Sequence, residues 1–231
     1  MRSATPWWRA RTGRAARLGV CALLLIVGVV AAMLDAPRAT PLQPGREVIV
    51  RELAVGKLLI AARNLPDPNF TETVVLVVNY SREGAAGVVI NRPTGIPLSR
   101  ALPGVAAVTG VAAAAFIGGP VSQQAVLALS RAACDACPRV GREVYLVNTA
   151  DALKERLAKG ADERQLRVYL GYAGWGAGQL ETETRQGAWH VLDADARVVF
   201  DPEPETLWQR VIKRTEGVLA RLNASRRTWT G

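Results

Sequence analysis

Thr73-Val74-Val75-Leu76-Val77-Val78-Asn79 decides the fold class. Its central residues are apolar and mostly β-branched, with no polar alternation, so the run predicts a strand covered on both faces. Turn signals bracket it: Asn, Pro and Asp crowd residues 64–69, and 81–84 read Ser-Arg-Glu-Gly. Beyond those turns, 57–62 and 87–90 read as neighbouring strands. The same pattern of short apolar runs recurs at 113–117, 126–130, 143–147, 165–170, 189–192 and 197–200. Helices are fewer. Residues 150–159 have Thr149 as N-cap, Leu153 and Leu157 on one face, and Gly160 just past the end. A long C-terminal helix is predicted from Asp201-Pro202, with Leu207, Trp208, Val211, Ile212, Val218, Leu219 and Leu222 at helical spacing. Strands outnumber helices without alternating with them. The expected fold is α+β, a mixed, bent β-sheet with a few flanking helices.

Upstream, residues 18–34 (LGVCALLLIVGVVAAML) form an uncharged run preceded by Arg2, Arg9, Arg11, Arg14 and Arg17. As a helix it spans roughly 26 Å, a little under a bilayer core of about 30 Å, with Trp7 and Trp8 as interfacial anchors. The reading is one N-terminal transmembrane helix, as signal anchor or signal peptide. It gives five segments: a basic cytoplasmic 1–17, the span 18–34, a Pro-rich linker 35–47, a folded domain 48–222 and a tail 223–231. Basic residues before the span put the N-terminus in the cytoplasm and the domain in the periplasm of a bacterial inner-membrane protein. Two alternatives stay open: release after cleavage near Val30-Ala31-Ala32, and a cytoplasmic protein if translation starts at Met33. Removing the five leader arginines from the 29 basic residues leaves 24 against 20 acidic ones, reducing the net charge from +9 to +4. No basic cluster in the body is interleaved with aromatics, so a nucleic-acid partner is not expected. The membrane, through 18–34, and an unidentified protein are the expected partners.

In order along the chain stand GKLLIA (56–61), Leu65 with DPNF (67–70), TVV (73–75), EGAAGVVINRP (83–93), GGPV (118–121), LGYAGWGAGQLE (170–181), Ala188-Trp189 and Phe200-Asp201. In these segments, collinear over about 53–215, the chain resembles the YqgE/AlgH family of bacterial proteins. The resemblance implies an α+β fold with a coiled mixed sheet, no established catalytic activity, and a regulatory role suggested by the AlgH name. The chain departs from the family at Lys57, where relatives often carry His, at Arg63, where they often carry Pro, and in its hydrophobic leader.

Candidate chemistry is sparse. The one histidine, His190, falls inside a strand, and an ordinary strand histidine is preferred to the base of a catalytic set. One His and one CxxC do not make a closed metal site, and no metal or cofactor is expected. Cys134 and Cys137 lie in a loop ending at Pro138, which leaves a local disulfide, free thiols and redox chemistry open. Gly171–Gly178 leaves a strand and enters a helix at Gln179 without a phosphate-loop spacing. Glu181 and Glu183 would repel an anion there, so a turn packing Trp175 on the core is the favoured reading. Asn91-Arg92 ends a strand, and Arg92 can bind a carboxylate or phosphate or serve a structural ion pair. Gly118-Gly119 is another turn, and Asp193 with Asp195 is read as a third. Non-catalytic binding or regulation is the preferred function. A small-molecule site or enzyme built from Asn91, Arg92, Gly118, Gly119, Gly174, Trp175 and Gln179 is the alternative, and a periplasmic thiol protein using the cysteine pair is the second.

Overall fold

The structure is a computed structural model describing residues 52–103, 113–135, 137–160 and 162–227, with side chains to 218. The basic segment 1–17, the span 18–34, the linker 35–47 and the last four residues of the tail lie outside these residues. The expected architecture is corrected at its N-terminal element: no helix among the described residues is long and apolar enough to cross a membrane. What is described is the mixed sheet with its helices.

Ten strands among the described residues form the sheet: β1 Lys57–Ala61, β2 Val74–Ser81, β3 Gly84–Val89, β4 Pro93–Pro97, β5 Ala114–Ile117, β6 Val121–Ser130, β7 Arg139–Gly141, β8 Val144–Val147, β9 Leu166–Gly176 and β10 Trp189–Asp193. The main path runs β10-β1-β2-β3-β9-β6-β8-β7, with β4 beside β5 and β5 beside β9. All pairings are antiparallel except β5 with β9, which makes the sheet mixed. The quoted run became β2, where Val74, Val75, Leu76 and Val77 are all fully buried, so successive side chains are covered on opposite faces.

β9 is the spine. Its first part, from Leu166 to Tyr172, pairs with β6, while Ala173–Gly176 pair with β3. Where the β6 pairing shifts register, between Leu170 and Tyr172, stands Gly171, at φ +73°, a left-handed conformation that glycine adopts without a Cβ penalty. Gly118 and Gly119 are pressed onto this bend. A Cβ on Gly118 would lie 2.3 Å from the Gly171 carbonyl oxygen, and one on Gly119 would lie 2.2 Å from the Tyr172 carbonyl carbon. The glycine-rich segment therefore begins as a bent strand, and strand β9 ends six residues later than the 165–170 run suggested.

Five helices are found among the described residues: α1 Leu98–Ala101, α2 Ala150–Ala158, α3 Gln179–Arg185, α4 Ala196–Val199 and α5 Pro204–Arg227. Thr149 caps α2, its side chain accepting from the Ala152 N–H at 3.3 Å. The expected strand at 197–200 is instead α4, because the Asp195 carboxylate accepts from the Arg197 and Val198 N–H groups and starts a helical turn. Asp201 turns the chain by accepting from the Glu203 N–H, so α5 begins at Pro204 rather than Pro202. Leu207, Trp208 and Ile212 of α5 are buried, and the Trp208 indole donates to the Ala61 carbonyl at 2.8 Å. Val218, read as part of the same stripe, is 48% exposed and does not belong to it. The strands β4 and β7 were not expected; one is bounded by prolines and the other has three residues, too few for a period.

Candidate functional site

The strand-end turns come first, since the sequence points there. Asn91 is 6% exposed; its Oδ1 accepts from the Val74 N–H at 2.8 Å and its Nδ2 donates to the Glu72 carbonyl at 2.9 Å. Arg92 donates from both Nη atoms, to the carbonyls of Asn69 and Thr71. Together they close the turn at 69–74, in which Glu72 sits at φ +55°. Burial lowers the Arg92 pKa, and no carboxylate is recorded as its partner. The Ile117 N–H donates to the Arg92 carbonyl, and the Val89 N–H to the Gly118 carbonyl, so these two turns lie side by side through their backbones.

Gly174 and Trp175 lie opposite Ala86 and Ala85 in the β3–β9 ladder. The Trp175 indole donates to Glu183 Oε2 at 2.9 Å, and the Trp189 indole donates to the same oxygen at 2.9 Å. Gln179 Nε2 donates to the other oxygen, Oε1, at 2.8 Å, while Gln179 Oε1 accepts from the Gly176 N–H. Phe70 stacks on Trp175 at 6.0 Å and meets Trp189 edge-on at 5.7 Å. Glu183 is thus the shared acceptor that fixes two indoles. Its neighbour Glu181 accepts from the Tyr80 hydroxyl at 2.6 Å, a bond that, with burial, pushes that hydroxyl's pKa up to about 12. Sequence reasoning took both glutamates as complements to the helix dipole. The available signal was Trp175 and Trp189 flanking one short helix, since each buried indole N–H needs an acceptor.

Cys134 and Cys137 are joined in a disulfide across the loop between β6 and β7. Cys137 is buried against Leu98, Leu153, Leu157 and Val147, and Arg156 of α2 donates to the Ala133 carbonyl beside it. His190 stands opposite Ile60 in the β1–β10 ladder. Asp193 pairs with Lys57 at 2.5 Å instead of forming a turn with Asp195, which caps α4. No group of three or more His, Cys, Asp or Glu side chains among the described residues converges as metal ligands do.

A shallow, solvent-open depression of about 450 Å³ lies elsewhere, lined by Val55, Gly56, Arg139, Val140, Gly141, Arg142, Asp193 and Ala194. None of the seven turn residues named from the sequence lines it. Its two arginines were missed because they flank a three-residue strand, which carries no readable periodicity.

The bent mixed sheet, with turn glycines packed backbone on backbone and turn polar groups bonded inward, defines an α+β domain of a distinct type. The model of the AlgH-like family (DUF179) matches residues 58–220, and the chain belongs to that family. It is 42% identical over 173 residues to a UPF0301 protein of Streptomyces avermitilis, covering 71% of this chain and 88% of that one. It is 39% identical to a UPF0301 protein of Thermobifida fusca over similar shares. Two solved structures resemble it. Protein DIP2367 from Corynebacterium diphtheriae gives a TM-score of 0.60 at 26% identity, over 71% of this chain and 87% of that one. The AlgH protein from Pseudomonas aeruginosa gives 0.55 at 32%, over 72% and 87%.

Proposed function

We propose that this AlgH-like domain acts by binding or regulation, without turning over a substrate. One observation carries the reading. The side chains best suited to chemistry at the motif turns are already engaged within the fold: Asn91 and Arg92 with backbone carbonyls and an N–H, Gln179 and Glu183 with each other and with two indoles. A general base or an electrophilic clamp needs a lone pair or donor aimed at substrate. Here those groups are aimed at the scaffold. An unidentified protein remains the proposed partner.

The test uses the purified full chain, assayed against panels of esters, amides and phosphate esters alongside the variants Arg92→Ala and Gln179→Ala. The expected result is no turnover by the wild type and a lowered Tm for both variants. Turnover by the wild type that Arg92→Ala abolishes at an unchanged Tm overturns the reading.

A further inference from the structure

We propose that the depression between β7, the end of β10 and the turn before β1 is a binding site for a small oxyanion, a carboxylate or phosphate held by Arg139 and Arg142. The geometry begins with backbone. Gly56, at φ +86°, lets the turn before β1 close on β7, where a Cβ would stand 3.3 Å from the Val140 carbonyl oxygen. The Gly56 carbonyl accepts from the Ala194 N–H at 2.9 Å, which fixes the end of β10 as the opposite wall. Arg142 is held from both sides: its N–H donates to the Ala194 carbonyl, and its carbonyl accepts from the Ala196 N–H. The Cα of Arg142 is therefore anchored at the rim while its side chain is exposed.

Charge selects the ligand. Two carboxylates near this rim already have cations, Asp193 pairing with Lys57 at 2.5 Å and Asp195 with Arg197 at 3.0 Å, while Glu143, next to Arg142, is exposed to solvent. Neither Arg139 nor Arg142 is paired with a carboxylate among the described residues. Arg139 donates only its Nε, to the Gly141 carbonyl at 3.0 Å. That bond orients the guanidinium and leaves both Nη groups available. Two guanidiniums against one carboxylate, Glu143, that has no ion pair among the described residues leave the rim net positive and raise the local anion concentration. Each presents the planar fork that suits carboxylate and phosphate oxygens. Prior anchoring reduces the rotamer freedom lost when a ligand is gripped. The depression is open to solvent, so a small anion reaches both guanidiniums without any rearrangement of the backbone.

The site deepens the binding reading and stands apart from it in one respect. Turnover of a bound anion would sink that reading and leave this one, whereas absence of binding would sink this one alone. The experiment titrates the isotope-labelled full chain with inorganic phosphate and, separately, succinate at constant ionic strength, following backbone amides by NMR. Saturable shifts are expected at Gly56, Gly141, Arg142 and Ala194 with at least one probe. A response to phosphate alone, succinate alone or both assigns the ligand class. Arg139→Gln and Arg142→Gln should each weaken binding about tenfold, the loss of one charge-assisted hydrogen bond. Arg142→Lys should fall between, since it keeps charge without the fork. Arg185→Gln, on α3, should change nothing. Dispersed spectra confirm that each variant is folded. Shifts that never saturate with either probe, or that persist unchanged in the Arg139→Gln/Arg142→Gln double variant, mark the arginines as solvated edge-strand charges and overturn the proposal.

Discussion

Glu183 offers the sharpest test of how the glycine- and tryptophan-rich segment is held. Both indole N–H groups, from Trp175 at 6% exposure and Trp189 at 1%, end on the same oxygen, Oε2, while Gln179 occupies Oε1. Glu183→Ala removes the acceptor and leaves two buried donors without a partner. Each such orphan costs about 1–3 kcal/mol, so the pair should lose about 2–6 kcal/mol, toward the lower end if water enters beside the half-buried Glu183 site. Glu183→Gln is different. Its amide oxygen can face the two indoles, and its amide nitrogen then meets the Gln179 donor, so the cost falls to about 0.5–1.5 kcal/mol, one ordinary hydrogen bond. Urea unfolding at neutral pH, followed by far-UV dichroism, measures both, and an unchanged m-value keeps the comparison within the folded state. A domain of this size moves by about 2–4 °C in Tm per kcal/mol, so the alanine variant should melt several degrees below the glutamine one. Near-UV dichroism should weaken with alanine as the indoles loosen. Equal stabilities for the two variants, within about 0.5 kcal/mol, would refute the shared-acceptor account.

Three further outcomes are expected. Gly118→Ala drives a Cβ to 2.3 Å from the Gly171 carbonyl oxygen and should lose about 3–5 kcal/mol or fail to fold, whereas Gly95→Ala, with nothing within 4 Å, should stay within about 0.5 kcal/mol by urea titration. At Asp201, burial works to raise the pKa, but hydrogen bonds from Arg210 and the Glu203 N–H outweigh it and hold the carboxyl below its ordinary 3.8. A depressed carboxyl stabilises the fold above its unfolded pKa and ceases to do so as pH falls through the folded one. Stability should therefore drop as pH falls below 3.8, and Asp201→Asn should flatten that part of the pH profile measured by thermal melting. Reduction of the Cys134–Cys137 disulfide, or its replacement by two serines, should cost about 2 kcal/mol on the chain-entropy estimate for so short a loop. Alkylation with mass spectrometry before and after reduction reports the bond, and urea titration the loss.

The sheet was legible where side chains repeat. β2 announces itself because Val74 to Val77 are buried on both faces, and α2 because Thr149, Leu153, Leu157 and Gly160 fall where cap, core and stop belong. Legibility ended where one side chain overrules its neighbours' propensity. Arg197-Val198-Val199-Phe200 has strand composition, yet the Asp195 carboxylate takes the Arg197 and Val198 N–H groups and winds the segment into α4. The same carboxylate logic at Asp201 moved the start of α5 by two residues.

The motif glycines show why a visible pattern can be read as a site when it encodes a crossing of strands. From sequence, glycines at 118, 119, 171, 174, 176 and 178 resemble open backbone waiting for a ligand. In the fold, Gly118, Gly119 and Gly171 are small so that one strand can lie on another: added Cβ atoms would meet backbone at 2.3, 2.2 and 2.6 Å. A tight backbone approach and a ligand cradle demand the same residue, and only the partner atom distinguishes them. The depression shows the converse. Arg139 and Arg142 sit three residues apart around Gly141, a pattern indistinguishable from exposed charge on an edge strand. What sets them apart is the charge around them: Lys57, far away in sequence, neutralises Asp193, Arg197 neutralises Asp195 two residues before it, and neither guanidinium is ion-paired among the described residues. Fold-making glycines are conspicuous in sequence although the strand they accommodate is distant, whereas the candidate site depends on which charges are cancelled, Asp193 by a lysine that the sheet brings beside it.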